Sequence, residues 1–250
     1  MFPYILVFII ASIYFLSSNY IHAEKNKFLL GLFFAYLAFF VGMGDMIGGY
    51  DRYIYGDGFD AIADVMRTSR NLRDVTYLIH KNEYGYFIWE VLVSLFTENR
   101  YIFILLTTLL AYILYYHVFR KYIENYPLGA ILFLGLFYYF TMTYLRQVLA
   151  CGIAWLSFKY IWERKPVAFF TIILIAYTFH SSAILFMPAY FISHKKYSKN
   201  FIIKMLALSL LIGLTPLPTI LLSLQNDDMG GGQGYGEQIQ GFRIEYVLEV

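Results

Sequence analysis

Long apolar runs separated by short polar connections set the pattern of this chain. Phe2 to Ile21, Phe28 to Ile47, Tyr101 to Phe119, Pro127 to Thr143, Gln147 to Trp162 and Phe201 to Leu224 each predict a helix that crosses a bilayer. Lipid satisfies no backbone group, so a segment crossing about 30 Å of hydrocarbon must bond within itself, which takes roughly 20 helical residues. The first run has neither a basic n-region nor a small-x-small cleavage site, and a second run follows at once, so it reads as a span and not a removed signal.

Three stretches depart from that pattern. Pro166 to Phe191 is apolar but interrupted by His180-Ser181-Ser182, which leaves two pieces too short to span and predicts a hairpin of broken helices. Gly44 to Asn82 is the long polar stretch, with Asp45, Asp51, Asp57, Asp60, Asp64 and Asp74 among Arg52, Arg67, Arg70 and Arg73. Its glycines 48, 49, 56 and 58 predict turns at first, and the spacing of Ile62, Val65, Met66 and Leu72 predicts a short amphipathic helix further on. Glu83 to Thr97 is short and has Glu90 in its middle. Glu83, Phe87, Glu90, Ser94 and Thr97 fall on one helical stripe and Trp89, Val93 and Phe96 on another, so it is expected to lie in the membrane surface.

Charge then fixes the expected orientation. Lys25 and Lys27, Arg120 and Lys121, Arg164 and Lys165, and Lys195, Lys196 and Lys199 all fall on one side if 83–97 does not cross. The positive-inside rule places that side in the cytoplasm, and the aspartate-rich loop, Arg146 and His180 on the outer face. The fold class is therefore an all-α polytopic membrane bundle: one transmembrane domain over 1–250, an outer loop at 44–82 and an interfacial helix at 83–97. The end, Gly241-Phe-Arg-Ile-Glu-Tyr-Val-Leu-Glu-Val250, reads as the start of a further helix and suggests that the chain continues.

Composition agrees. At 60% hydrophobic, 14% charged and mean hydropathy +0.57, there are too few charges to coat a soluble core. A net charge of +2 provides no basic field for nucleic acid. The single cysteine, Cys151, excludes an internal disulfide and sits in an apolar run, where packing is its simpler role. The loop aspartates lack a calcium-loop pattern and no histidines are paired, so neither a metal nor a cofactor is expected.

Few residues remain for chemistry. Arg146, in Tyr144-Leu-Arg-Gln147, lies between two apolar stretches at the outer boundary, where a guanidinium needs an anionic partner. Its fork of donors suits a phosphate or pyrophosphate, with Gln147 adding neutral donors; snorkelling to headgroups is the other reading. His180 is the one group between Pro166 and His194 that titrates near neutral pH when free, and it can take a proton from a sugar hydroxyl or steer it, or else bond a neighbouring helix at a kink. Asp51, Arg52 and Tyr55, in Gly49-Tyr-Asp-Arg-Tyr-Ile-Tyr55, combine a carboxylate, a guanidinium and aromatic faces, a mixture that fits a sugar; the rings could equally be interfacial anchors. The glycine-rich 226–236 segment lacks the Lys-Ser/Thr ending of a phosphate-binding loop.

Taken in order, the Asp51 and Tyr55 loop after the second span, Glu83-Tyr-Gly-Tyr86 before a helix, Tyr144-Leu-Arg-Gln147 with Ala150, and Phe179-His-Ser-Ser-Ala183 resemble the EpsG family of Wzy-like bacterial polysaccharide polymerases. The resemblance implies a multi-pass enzyme of the bacterial inner membrane. Such an enzyme joins repeat units carried on undecaprenyl pyrophosphate at the outer face, without a known metal. Its partners would be that lipid-linked oligosaccharide, membrane lipid and other polysaccharide-assembly proteins. By the same resemblance Arg146 would meet the pyrophosphate, His180 would assist the acceptor hydroxyl, and Asp51 with Tyr55 would hold sugar; Arg52, Gln147 and Glu83 belong to the same expected substrate site. Two other readings stand beside it: a lipid-linked oligosaccharide flippase, and a non-catalytic subunit of an export complex.

Overall fold

The computed structural model describes residues 2–21, 25–43, 51–69, 76, 83–191 and 197–216. Expectations for Asp45, for 70–75 and 77–82 with Leu72, for His194 to Lys196 and for 217–250 lie outside these residues. So do the side chains of Asp51 and Arg52. The described residues are helical and contain no strand, as an all-α fold requires. Two compact units are distinguished, 1–191 and 192–250.

The first unit opens with α1 (Phe2–Ile21) and α2 (Lys27–Met43). Then come α3 (Asp51–Ser69), α4 (Tyr84–Ser94) and α5 (Arg100–Tyr122). Among the described residues α5 is the one helix long and apolar enough to cross a membrane by itself. Asn99 fixes its start by accepting the Tyr101 N–H at 2.8 Å, and Arg120 and Lys121 close its last turn, where cations suit the helix dipole.

Two of the expected spans are each broken in two. Pro127 to Thr143 divides into α6 (Tyr126–Leu136) and α7 (Tyr138–Thr143), because Phe137 leaves helical geometry with φ −128° and ψ −19°. Its ring is held among Tyr115, Phe133, Phe140 and Trp155, so tertiary packing overrides the apolar run. Gln147 to Trp162 divides into α8 (Leu145–Trp155) and α9 (Phe158–Trp162). There Ser157 donates its hydroxyl to the Ala154 carbonyl at 2.6 Å, a local bond that competes with the helical ladder.

The polar stretch before α4 also differs from expectation. Helix begins at Asp51 and runs straight through Gly56 and Gly58, where turns were expected. Glycine weakens a helix by about 1 kcal/mol relative to alanine, but packing outweighs that here. Phe59 stacks flat on Phe103 with centroids 4.3 Å apart, and Arg100 pairs with Asp57 at 2.7 Å and with Asp60. A Cβ on Gly56 would lie 3.1 Å from Arg100 Cδ, so glycine is what admits that arginine. The expected amphipathic face does exist in part: Ile62 is buried on Val91, with Val65 and Met66 against them.

Antiparallel packing of α2 on α5 forms the main core. Phe34 meets the rings of Tyr112, Phe119 and Phe133. The Tyr116 hydroxyl donates to the Lys27 carbonyl at 3.3 Å and Arg120 lies over the Tyr116 ring, so two basic connections meet at one end of α5. Arg100, tied to α3, marks the opposite end, about 30 Å away at 1.5 Å per residue. Outward from this core Ile5, Ile13, Leu16, Phe28 and Leu32 are exposed, a face suited to lipid.

After α9 the chain reverses through Arg164, which is left-handed at φ 52°. The Lys165 N–H reaches back to the Tyr160 carbonyl at 3.0 Å and that of Arg164 to Ile161 at 3.4 Å, and Pro166 begins α10 (Pro166–Phe179). A 3₁₀ segment, Ser181–Phe191, follows across a break at His180, whose φ −159° and ψ 130° are extended. The expected break is thus present at the expected residue. In the second unit α11 (Lys199–Gly213) is capped by Ser198, which accepts the Phe201 N–H at 3.2 Å.

Candidate functional site

The break between α7 and α8 creates the site. Tyr144, at φ −102° and ψ 72°, stops α7 and provides no side-chain cap for α8, so Arg146 emerges from the first turn of α8 beside the positive end of that helix. Leu145 anchors this turn in a small core with Phe59, Tyr86, Phe103 and Ile104. Tyr115 of α5 donates its hydroxyl to the Val148 carbonyl at 2.6 Å, which holds α8 against α5. Arg146 therefore lies inside the bundle and does not snorkel; its side chain is 17% exposed.

Glu83 supplies the compensating charge. It precedes α4, its side chain is 9% exposed, and its Oε2 accepts from Arg146 Nη1 at 2.5 Å. Tyr55 from α3 and Tyr86 from α4 face the guanidinium carbon, with ring centroids 5.3 and 5.9 Å away. Arg146 Nε and the Tyr86 hydroxyl are both buried without a hydrogen-bond partner. Buried donors left unpaired are costly, and two together beside a cation describe a place for an acceptor group.

His180 joins the same cluster. Gln147 Nε2 donates to Ser182 Oγ at 3.1 Å, and the Ser182 backbone N–H donates to His180 Nδ1 at 3.1 Å. Burial first, and then the nearby Arg146 charge, push the imidazole below its ordinary pKa and keep it neutral. Gly85 lets these parts approach. A Cβ there would overlap the Thr178 hydroxyl and come within 3.0 Å of the Phe179 ring, so glycine sets α4 down on the end of α10 next to His180.

Arg146, Gln147, His180, Glu83 and Tyr55 are thus brought together from α8, the α10 break, α4 and α3. Asp51 begins α3 one turn before Tyr55, and Arg52 follows it. Two members were not foreseen. Tyr86 is fully buried, and Glu90, expected on one stripe of a helix lying in the membrane surface, is 4% exposed. The stripe of Glu83, Tyr86, Glu90 and Val93 faces the bundle instead, while Ile88, Leu92, Leu95 and Phe96 face out. The seven-residue step from Glu83 to Glu90, two helical turns, carried this signal, because the opposite face of α4 is wholly apolar. Burial raises the Glu90 carboxyl well above the usual range, opposed by Arg146 and reinforced by Glu83.

The EpsG family model matches residues 27–239, most of the chain and all of the cluster. The chain belongs to the EpsG family. No curated protein and no solved structure matches it. EpsG membership implies a membrane protein and associates the chain with exopolysaccharide synthesis. The order of motifs expected from the sequence is the order in which this EpsG chain builds its cluster.

Proposed function

We propose that this EpsG-family chain is a multi-pass glycosyltransferase of the bacterial inner membrane, which polymerises repeat units carried on undecaprenyl pyrophosphate at the outer face. The observation that carries the reading is the buried Arg146 guanidinium, with its unpaired Nε, beside the unpaired Tyr86 hydroxyl. Glycosyl transfer from a lipid diphosphate develops negative charge on the departing phosphates. A preformed cation with spare donors in a site shielded from water stabilises that charge. The uncapped start of α8 adds its dipole in the same direction.

The other residues fall into roles around that centre. Arg146 holds the diphosphate, His180 assists the acceptor hydroxyl, and Gln147 keeps Ser182 and with it His180 in place. Tyr55, on α3 with its ring against the Arg146 guanidinium, offers an aromatic face to sugar, together with Asp51 and Arg52 at the start of the same helix. The apolar outward faces of α1, α2 and α4 suit the acyl environment in which the prenyl chain would lie.

Arg146→Lys keeps the charge but loses the fork. In cells the variant should insert normally and yield single repeat units in place of long polymer, read from the chain length of surface glycan. Wild-type chain length would remove Arg146 from the site.

A further inference from the structure

A neutral imidazole has one in-plane nitrogen lone pair, and in His180 that lone pair is taken: Nδ1 accepts the Ser182 N–H at 3.1 Å. Nε2 then carries the proton and can only donate. An acceptor hydroxyl must lose its proton as it becomes a glycosidic oxygen. His180 in this tautomer can hold that oxygen but has no lone pair for the proton. Glu90 has no advantage as a base either, since burial favours its protonated form.

Glu83 differs from both. It is a buried carboxylate at the N-terminus of α4 that does not cap its own helix and is held 2.5 Å from Arg146. The ion pair engages its Oε2, and among the described residues Arg146 has no other salt bridge. A diphosphate arriving at Arg146 competes for the same donors and so frees the carboxylate beside the reacting centre. Arg146 from α8 pairs with Glu83, and Tyr86 and Glu90 from α4 lie within reach of its charge, while Tyr55 from α3 and His180 at the end of α10 lie by Arg146.

We propose that Glu83 is the general base of the elongation step, released from Arg146 by the incoming lipid diphosphate, while His180 positions the acceptor hydroxyl through its Nε2–H. The assignment rests on the glycosyltransferase reading above. The acceptor hydroxyl gives its proton to the Glu83 carboxylate as its oxygen bonds to the anomeric carbon. The bond from that carbon to the diphosphate oxygen breaks with its electron pair, and the diphosphate leaves on Arg146. Once the products leave and the site opens to solvent, Glu83 gives the proton to water.

The test uses the full chain in lipid vesicles with two readouts, elongation of a lipid diphosphate-linked repeat unit and binding of undecaprenyl diphosphate without sugar. Glu83→Gln should lose elongation about 100-fold or more, the scale of a general base, while binding the diphosphate as tightly as wild type or tighter. Glu83→Asp keeps the charge on Arg146 but withdraws the carboxyl by one methylene, and it should fold, bind and elongate at least about 10-fold more slowly. His180→Gln retains a donor and should elongate within about 10-fold of wild type, consistent with a single hydrogen bond. Elongation by Glu83→Gln or Glu83→Asp at near wild-type rate overturns the base role. Loss of diphosphate binding together with elongation also overturns it, because Glu83 would then only position Arg146. A wild-type chain that neither binds nor elongates overturns the glycosyltransferase reading itself, and the base assignment with it.

Discussion

Arg146 and the residues around it show how a buried charge can be stable and still chemically available. Breaking a buried ion pair costs about 3–5 kcal/mol, which holds Glu83 and Arg146 together until another anion replaces the carboxylate. Tyr86 bears on this directly. If its hydroxyl awaits an acceptor, Tyr86→Phe should leave thermal stability unchanged or raised and weaken diphosphate binding about 2- to 10-fold, the effect of one hydrogen bond. Glu90 gives a second prediction. Its folded pKa is raised by burial, so its contribution to stability is complete below the unfolded carboxylate value and is lost as pH rises through the folded one. Thermal unfolding should therefore show wild type losing stability relative to Glu90→Gln, whose amide does not titrate, as pH rises from the ordinary carboxylate range to about 8, with no further loss above that. Much of the cluster was legible at this scale. Arg146, Gln147 and His180 declare themselves because polar groups are rare in apolar runs. Tyr86 did not, because one tyrosine among 25 carries no signal until a helix turns it inward.

At the scale of elements, the breaks matter more than the helices. Those at Tyr144 and His180 bring Arg146 and the imidazole into the bundle, and of these the one at His180 was readable from His180-Ser181-Ser182. Those at Phe137 and Ser157 were not, since the first depends on four surrounding rings and the second on one hydroxyl bond. Helix α3 was hidden for a related reason: its glycines signal turns locally, whereas the Phe59 stack and the Arg100 ion pairs come from residues about 40 positions away. Gly85 is the element-scale prediction. Gly85→Ala should force α4 away from α10, destabilise the fold by about 1–3 kcal/mol and impair elongation more than Gly58→Ala, where the added Cβ meets open space. Thermal unfolding and chain-length analysis of the two variants would check it.

For the first unit as a whole, the two ends of α5 separate basic connections from the acidic helix α3, consistent with one cytoplasmic and one external end. With Cys151 replaced by serine, a single cysteine at Arg67 should react with an impermeant thiol reagent in intact cells, and one at Lys121 only after the membrane is opened. Labelling from the same face would contradict this arrangement. The outward apolar residues of α1, α2 and α4 and the 14% charged composition were legible from hydropathy alone, while the inward turn of the acidic stripe on α4 needed the packed structure.

The central claim is that Arg146 receives a lipid-borne diphosphate as a sugar bond forms. It is tested most directly by reconstituting the full chain in vesicles with an undecaprenyl pyrophosphate-linked repeat unit and following chain growth. The account predicts polymer with wild type and none with Arg146→Lys, together with loss of diphosphate binding by the variant. Equal growth and equal binding by both proteins would contradict it.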